Sequence, residues 1–138
     1  MATLVDKSRY RMSDIGYMMK SVTLIAPDDG YYGLIRVPQY AFITDVWLDI
    51  SVAYVGGAPS LSIGWLGNGE TAVVDGFITS SIAKPLETGI KYSVHDTATS
   101  DRSKYFGTKG GLITCTIAAG GATTEGTFCV FCQYYLIQ

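Results

Sequence analysis

The stretch that decides the fold is residues 42–54, FITDVWLDISVAY. Val46, Leu48, Ile50, Val52 and Tyr54 recur at every second position, and Phe42 falls in with them. Thr44, Asp45, Asp49 and Ser51 supply most of the polar positions, while Ile43 and Trp47 share the face of the two aspartates. Successive side chains of a strand point to opposite faces. Alternation sustained over this length predicts a half-buried antiparallel strand.

The pattern continues on both sides. Gly56, Gly57, Ala58 and Pro59 turn the chain, and Leu61, Ile63 and Trp65 carry the inward face of a next strand. Asn68-Gly69 suits a type I′ hairpin turn, whose two central residues both need positive φ. Upstream, residues 20–26 put Val22, Leu24 and Ala26 on one face, Asp28-Asp29-Gly30 makes a turn, and residues 32–37 form a strand ended by Pro38. Downstream, residues 71–78, 90–94, 112–119 and 126–137 read as strands. Residues 82–108 carry the weakest pattern and read as an irregular crossover. Glycine and proline punctuate the chain every ten residues or so. The sum is an all-β sandwich of about eight antiparallel strands, with its domain over residues 20–138.

Composition bounds what such a domain can do. The 138 residues are enough for one core without staples. Charged residues make up 16%, against roughly 25% in an average soluble domain, while 48% are hydrophobic. So little charge cannot coat every strand surface, and a homo-oligomer is expected. A formal charge of -2 argues against nucleic acid as a partner. No apolar run reaches the roughly 18 residues of a membrane span, and residues 1–7 lack the apolar core of a signal peptide. The expectation is a product assembled in a cytoplasm, with no membrane partner.

Residues 1–19 differ from the rest. Lys7, Arg9, Arg11 and Lys20 are four of the ten bases, and the first twenty positions hold only Asp6 and Asp14 of the twelve acids. A basic lead dotted with Tyr10, Met12, Tyr17, Met18 and Met19 precedes an acidic body. It reads either as a terminus lying over one end of the sandwich or as an arm that grips a neighbouring subunit. Tyr, Met and Arg are the residues that interface anchors favour.

Chemistry is sparse. His95, the single histidine, sits in Ser93-Val94-His95-Asp96, and neighbours in one strand or turn splay apart and cannot form a triad. Asp45 and Asp49 share a face but lie about 13 Å apart along a strand, too far to clasp one ion. Cys129 and Cys132 read C-x-x-C, yet residues three apart in a strand face opposite ways. With Cys115 they make an odd count, which fits buried thiols better than disulfides. Tyr31, Tyr32 and Tyr105 could stack on sugars, though their spacing does not ask for it. The sequence predicts no catalytic residue, no metal site and no cofactor.

The last strand is greasy on both faces. In FCVFCQYYLI, residues 128–137, one face carries Phe128, Val130, Cys132, Tyr134 and Leu136. The other carries Cys129, Phe131, Tyr135 and Ile137, which in a monomer would be exposed. An exposed apolar patch marks a binding surface. These four residues are the predicted oligomer interface, unless the crossover or the lead folds over them.

One resemblance adds to this. VPQYAFITDVWLDISVAYVGGAPSLSIGW, followed by AVVDGFI, resembles a pattern of small virion proteins of tailed bacteriophages. Its parts are Pro38, Asp45-Val46-Trp47, Gly56-Gly57, Leu61-Ser62-Ile63-Gly64, Asp75-Gly76-Phe77, residues 120–126 and a last aromatic strand, 128–135. The resemblance covers roughly residues 37–137 and supplies no catalytic residues. It implies a jelly-roll-like sandwich on the capsid outer surface of the virion. The implied job is decoration, or cement, in which a homo-oligomer, with a trimer favoured, bridges subunits of the phage major capsid protein. Tail, collar or head-fibre components are relatives, and a carbohydrate-binding jelly roll is the different class. On this reading Lys7, Arg9, Tyr10, Arg11 and Tyr17 form the capsid-contact arm.

Overall fold

Strand β4 (Ala41–Val55) is the long alternating segment, and everything else is arranged around it. The computed structural model describes residues 16–55, 59–93, 104–118 and 125–137, together with Thr3. His95, Lys7, Arg9, Tyr10 and Arg11 lie outside the described residues, as does the turn at 56–58. The remaining strands are β1 (Tyr17–Lys20), β2 (Leu24–Ile25), β3 (Gly30–Val37), β5 (Ser60–Gly67), β6 (Val73–Ile78), β7 (Gly89–Tyr92), β8 (Lys104–Tyr105), β9 (Gly111–Ala118) and β10 (Glu125–Leu136). One helical turn, α1 (Ser80–Ala83), and a 3-10 turn at Gly107–Lys109 complete the described elements.

All pairings are antiparallel. One sheet runs β1-β10-β4-β7, with the short β2 on β10 and β8 on β4. The other runs β3-β9-β5-β6. Setting aside the two-residue strands, eight principal strands remain, in the interleaved order of a jelly roll. The sandwich read from the sequence is therefore present, with two small strands added.

Between the sheets lies one core. Val46, Leu48 and Ile50 of β4 meet Phe128, Val130 and Cys132 of β10 on one side. Leu61 and Ile63 of β5 with Ile113, Cys115 and Ile117 of β9 close it from the other. Each large apolar side chain so buried contributes about 1.5–3 kcal/mol relative to exposure.

Glycine decides how closely β5 and β6 approach. A Cβ on Gly64 would lie 1.9 Å from the carbonyl oxygen of Val73, and one on Gly76 would lie 2.0 Å from the Trp65 ring. Trp65 packs edge-on against Phe77 in the same place, with ring centroids 4.9 Å apart. The Leu-Ser-Ile-Gly and Asp-Gly-Phe steps of the sequence thus have a packing cause.

Several local readings are corrected. The alternation of β4 breaks at Thr44, an extra residue opposite the Gln133–Tyr134 step of β10. The bulge turns Ile43 into the core and Phe42 outward. A second shift near Thr127 leaves Val52 42% exposed. The turn at Asn68-Gly69 has positive φ only at Gly69, with Glu70 N–H donating to Gly67 C=O at 2.9 Å. That is the signature of type II rather than I′. Asn68 is held there by donating its backbone N–H to Gly110 C=O and its side-chain amide to Lys109 C=O. The expected strand over 20–26 is split in two. Ser21 interrupts it, its hydroxyl accepting from Val130 N–H at 2.9 Å and donating to Val22 C=O.

Candidate interaction surface

The outer face of the β1-β10-β4-β7 sheet is assembled by register. Lys20, Phe131, Trp47 and Tyr92 are successive cross-strand partners and form one row across all four strands. The rings of Phe131 and Trp47 stack at 5.6 Å with an interplanar angle of 7°. The Lys20 ammonium sits 5.6 Å above the Phe131 ring, a cation–π contact worth about 0.5–1 kcal/mol at an exposed site. Tyr92, at the β7 end of the row, is 60% exposed.

Parallel rows flank it. Cys129, Asp49 and Ile90 make one, with Ile90 exposed at the edge. Met18, Gln133 and Asp45 make another. Beyond the Thr44 bulge comes a row of Tyr135, Phe42 and Tyr105. The Tyr105 hydroxyl donates to Ile137 C=O at 3.3 Å. The face is aromatic and aliphatic with a scatter of charge, which is the make-up of interface cores.

The predicted interface residues fall unevenly on it. Phe131 and Tyr135 lie on the face and are half-buried by its own rows. Ile137 is exposed, its N–H donating to Tyr40 C=O at 2.7 Å. Cys129 is the correction. It points to the outer face, where Asp49 is its cross-strand partner, yet is only 8% exposed. Burial pushes its thiol pKa up, with Asp49 adding to the rise and Lys20 opposing it.

Tyr17, assigned by sequence to the arm, is the first residue of β1. It pairs with Tyr134, stacks on its ring at 5.3 Å and packs against the core. The sheet therefore begins three residues before the boundary read from the sequence. Trp47, Tyr92 and Ile90 were missed. The signal for Trp47 was present: a tryptophan on the aspartate face of an alternating strand has no reason to be there unless that face is covered.

Two of the three thiols are turned away from it. Cys132 lies in the core, on the opposite face of β10 from Cys129, and burial raises its pKa to about 11. Cys115, equally buried, is pushed further up by the same cause. Thiols held protonated are poor nucleophiles and poor metal ligands. Among the described residues no three His, Cys, Asp or Glu side chains gather as a metal site requires.

Fold and face together define a class: a jelly-roll sandwich with one apolar outer sheet. No protein-family model matches the chain, and no curated protein does. Solved structures do match. The chain is similar to one in the capsid asymmetric unit of cyanophage Pam1, with a TM-score of 0.66 and 12% identity over 98% of this chain and 94% of that one. It is also similar to a chain of the acidic stable capsid structure of Helicobacter pylori bacteriophage KHP30, with a TM-score of 0.56 and 17% identity over 88% of this chain and 94% of that one. At these identities the likeness is one of fold. It spans nearly the whole of both chains in each case.

Proposed function

We propose that this chain is a structural protein of a phage particle, and within that class a capsid decoration or cement protein. The observation that carries the reading is the end-to-end likeness to single chains of two phage capsid structures. The outer-face row from Lys20 to Tyr92, exposed at both ends and half-buried at Phe131 and Trp47, supplies a surface for assembly. The chain forms a homo-oligomer, with a trimer favoured, through the outer face of β10, β4 and β7. It bridges major capsid subunits on the outer surface of the particle. The working force is burial, repeated by symmetry, and no catalysis is assigned.

At about 25 cal/mol per Å² of apolar area removed from water, covering Tyr92, Ile90, Phe131 and Ile137 contributes several kcal/mol per subunit. Association entropy takes part of this back. Many such contacts on a lattice give an avidity that no single one has. Lys7, Arg9, Tyr10 and Arg11 are proposed as the capsid grip, since they concentrate base ahead of an acidic body.

Two experiments test this. Replacing Phe131 and Tyr135 by Ser and measuring mass in solution should give a folded monomer; a folded double variant of unchanged mass removes the interface. Removing residues 1–15 spares β1 and should abolish binding to undecorated capsids; full occupancy after truncation removes the arm from the reading. A copy number per particle that follows the capsid lattice supports decoration, and a handful of copies points to tail or collar instead.

A further inference from the structure

The second sheet has a different outer face. Tyr31, Thr116 and Ser62 are cross-strand partners in a row over β3, β9 and β5. Ile113, Cys115 and Ile117 point inward on β9, so Thr116 points out. Tyr31 is 48% exposed, whereas its neighbour Tyr32 packs against the core and donates its hydroxyl to Asp28 C=O. Beside this row, between β5, β6 and the start of α1, lies a shallow concavity of 270 Å³. Thr116, Ser62, Ser60, Ser81 and the carboxylate of Asp75 line it, and no Lys or Arg does.

The polar groups there are partly spoken for. Ser62 donates to Val74 C=O at 3.0 Å, and Thr79 and Ser81 share a hydrogen bond at 3.0 Å. Thr116 Oγ1 is shut from solvent and has no partner among the described residues. A buried hydroxyl without a partner is costly, because its lost hydration is not replaced. A turn about χ1 moves the hydroxyl of a threonine to another of its three staggered positions, where it can meet a ligand.

We propose that this concavity, with Tyr31 at its border, is a recognition site for a neutral sugar. The chemistry selects the class. A lining without cations and with one carboxylate does not suit phosphate, sulfate or an acidic glycan. Serine and threonine hydroxyls each donate and accept, as sugar hydroxyls do, and a carboxylate accepts from two neighbouring hydroxyls at once. An exposed aromatic ring offers an apolar face to the C–H side of a sugar. The shallowness fits a terminal unit of a longer chain rather than an enclosed ligand. The same ligand chemistry could come from a cell-surface glycan or a free saccharide. The inference is independent of the capsid reading.

The test uses the full chain and the methyl glycosides of glucose, galactose, mannose and N-acetylglucosamine, followed by backbone amide shifts in titration. One of the four should move the amides of Tyr31, Ser62 and Thr116 with millimolar affinity. Tyr31→Ala and Thr116→Val should each weaken that binding by about tenfold, equivalent to about 1.4 kcal/mol. Both positions are on the surface row, and unchanged amide spectra elsewhere show that the variants fold. Absence of shifts with all four glycosides overturns the proposal, as does binding that both variants retain. Shifts at Asp75 produced by a polylysine peptide and by none of the sugars would make the site a cation cradle and overturn it as well. A surface-immobilised glycan bound while its free glycoside is bound equally per unit points to the free sugar chemistry; gain only on the surface points to a glycan coat, and either supports the site.

Discussion

The two outer faces of this sandwich are built from the same kind of strand and carry opposite chemistry. The β1-β10-β4-β7 face presents Phe131, Trp47, Tyr92 and Ile90. The β3-β9-β5-β6 face carries serine, threonine and glycine beside Tyr31, with the partner row Gly33, Thr114 and Gly64 lying where β6 covers Thr114 and Gly64. A sheet needs one apolar face to fold. The first sheet carries a second apolar row on its outer face, held in part by the Phe131–Trp47 stack and open at Tyr92 and Ile90. The second keeps the row Gly33, Thr114 and Gly64 small, which lets β6 lie close over Gly64.

That contrast can be broken at several points. The largest effect is expected from charge on the apolar face. Tyr92→Glu with Ile90→Glu should weaken self-association by at least about a hundredfold, because like charges would meet at each contact. Tyr31→Glu with Val74→Glu, the same charge on the other sheet, should leave the mass unchanged. Sedimentation of both variants decides; equal behaviour erases the distinction between the faces.

Next comes Gly64→Ala. Its Cβ would meet a backbone carbonyl rather than a flexible side chain, so the strands must part. A loss of about 3 kcal/mol in urea unfolding is expected, at the upper end for overpacking. A loss below about 1 kcal/mol would mean that β6 is not clamped there.

The core between the two sheets has a pH response fed from both sides. Cys132 under the first sheet has its pKa raised from 9.0 to about 11. The unfolded thiol ionises first, so the unfolded state binds fewer protons above pH 9. Stability is whole below that point and falls as pH rises toward 11, by about 2–3 kcal/mol for this group. Cys115 under the second sheet shifts the same way and adds to the slope. Urea midpoints measured between pH 8 and 11 should fall, and Cys132→Ala should flatten the fall. A flat profile in the native chain would mean the thiols are solvated.

The smallest effect concerns Thr114, which is buried on the second sheet with its hydroxyl unpartnered. Thr114→Val removes a group that makes no hydrogen bond among the described residues. Its stability in thermal unfolding should hold or rise, by an amount within about 1 kcal/mol. A clear drop would reveal a partner for the hydroxyl.

What could be read in advance follows from what alternation encodes. The inward faces of β4, β5, β9 and β10 were legible because apolar residues at every second position need no knowledge of the partner strand. The Thr44 bulge was not, since an extra residue is defined by register with Gln133 and Tyr134, nearly ninety positions away. The same holds for Cys129. Its surroundings depend on β4 and β1, which only pairing brings beside it. Tyr17 was assigned to an arm because charge and composition mark a segment without showing whether its backbone finds a partner. The outer row was half-visible, as Trp47 among aspartates, but Tyr92 lay in the segment with the weakest pattern.

The pairing of Tyr17 with Tyr134, and of Ser21 with Val130 across 109 positions, has a consequence for time rather than stability. Contacts so distant in the chain form late and slowly, since the intervening loop must close first. The row from Lys20 to Tyr92 draws on both ends of that span and does not exist as a surface until β10 has entered the sheet. On the proposed reading, nascent chains therefore cannot stick to one another through it in native fashion, and assembly would wait until each copy has finished folding.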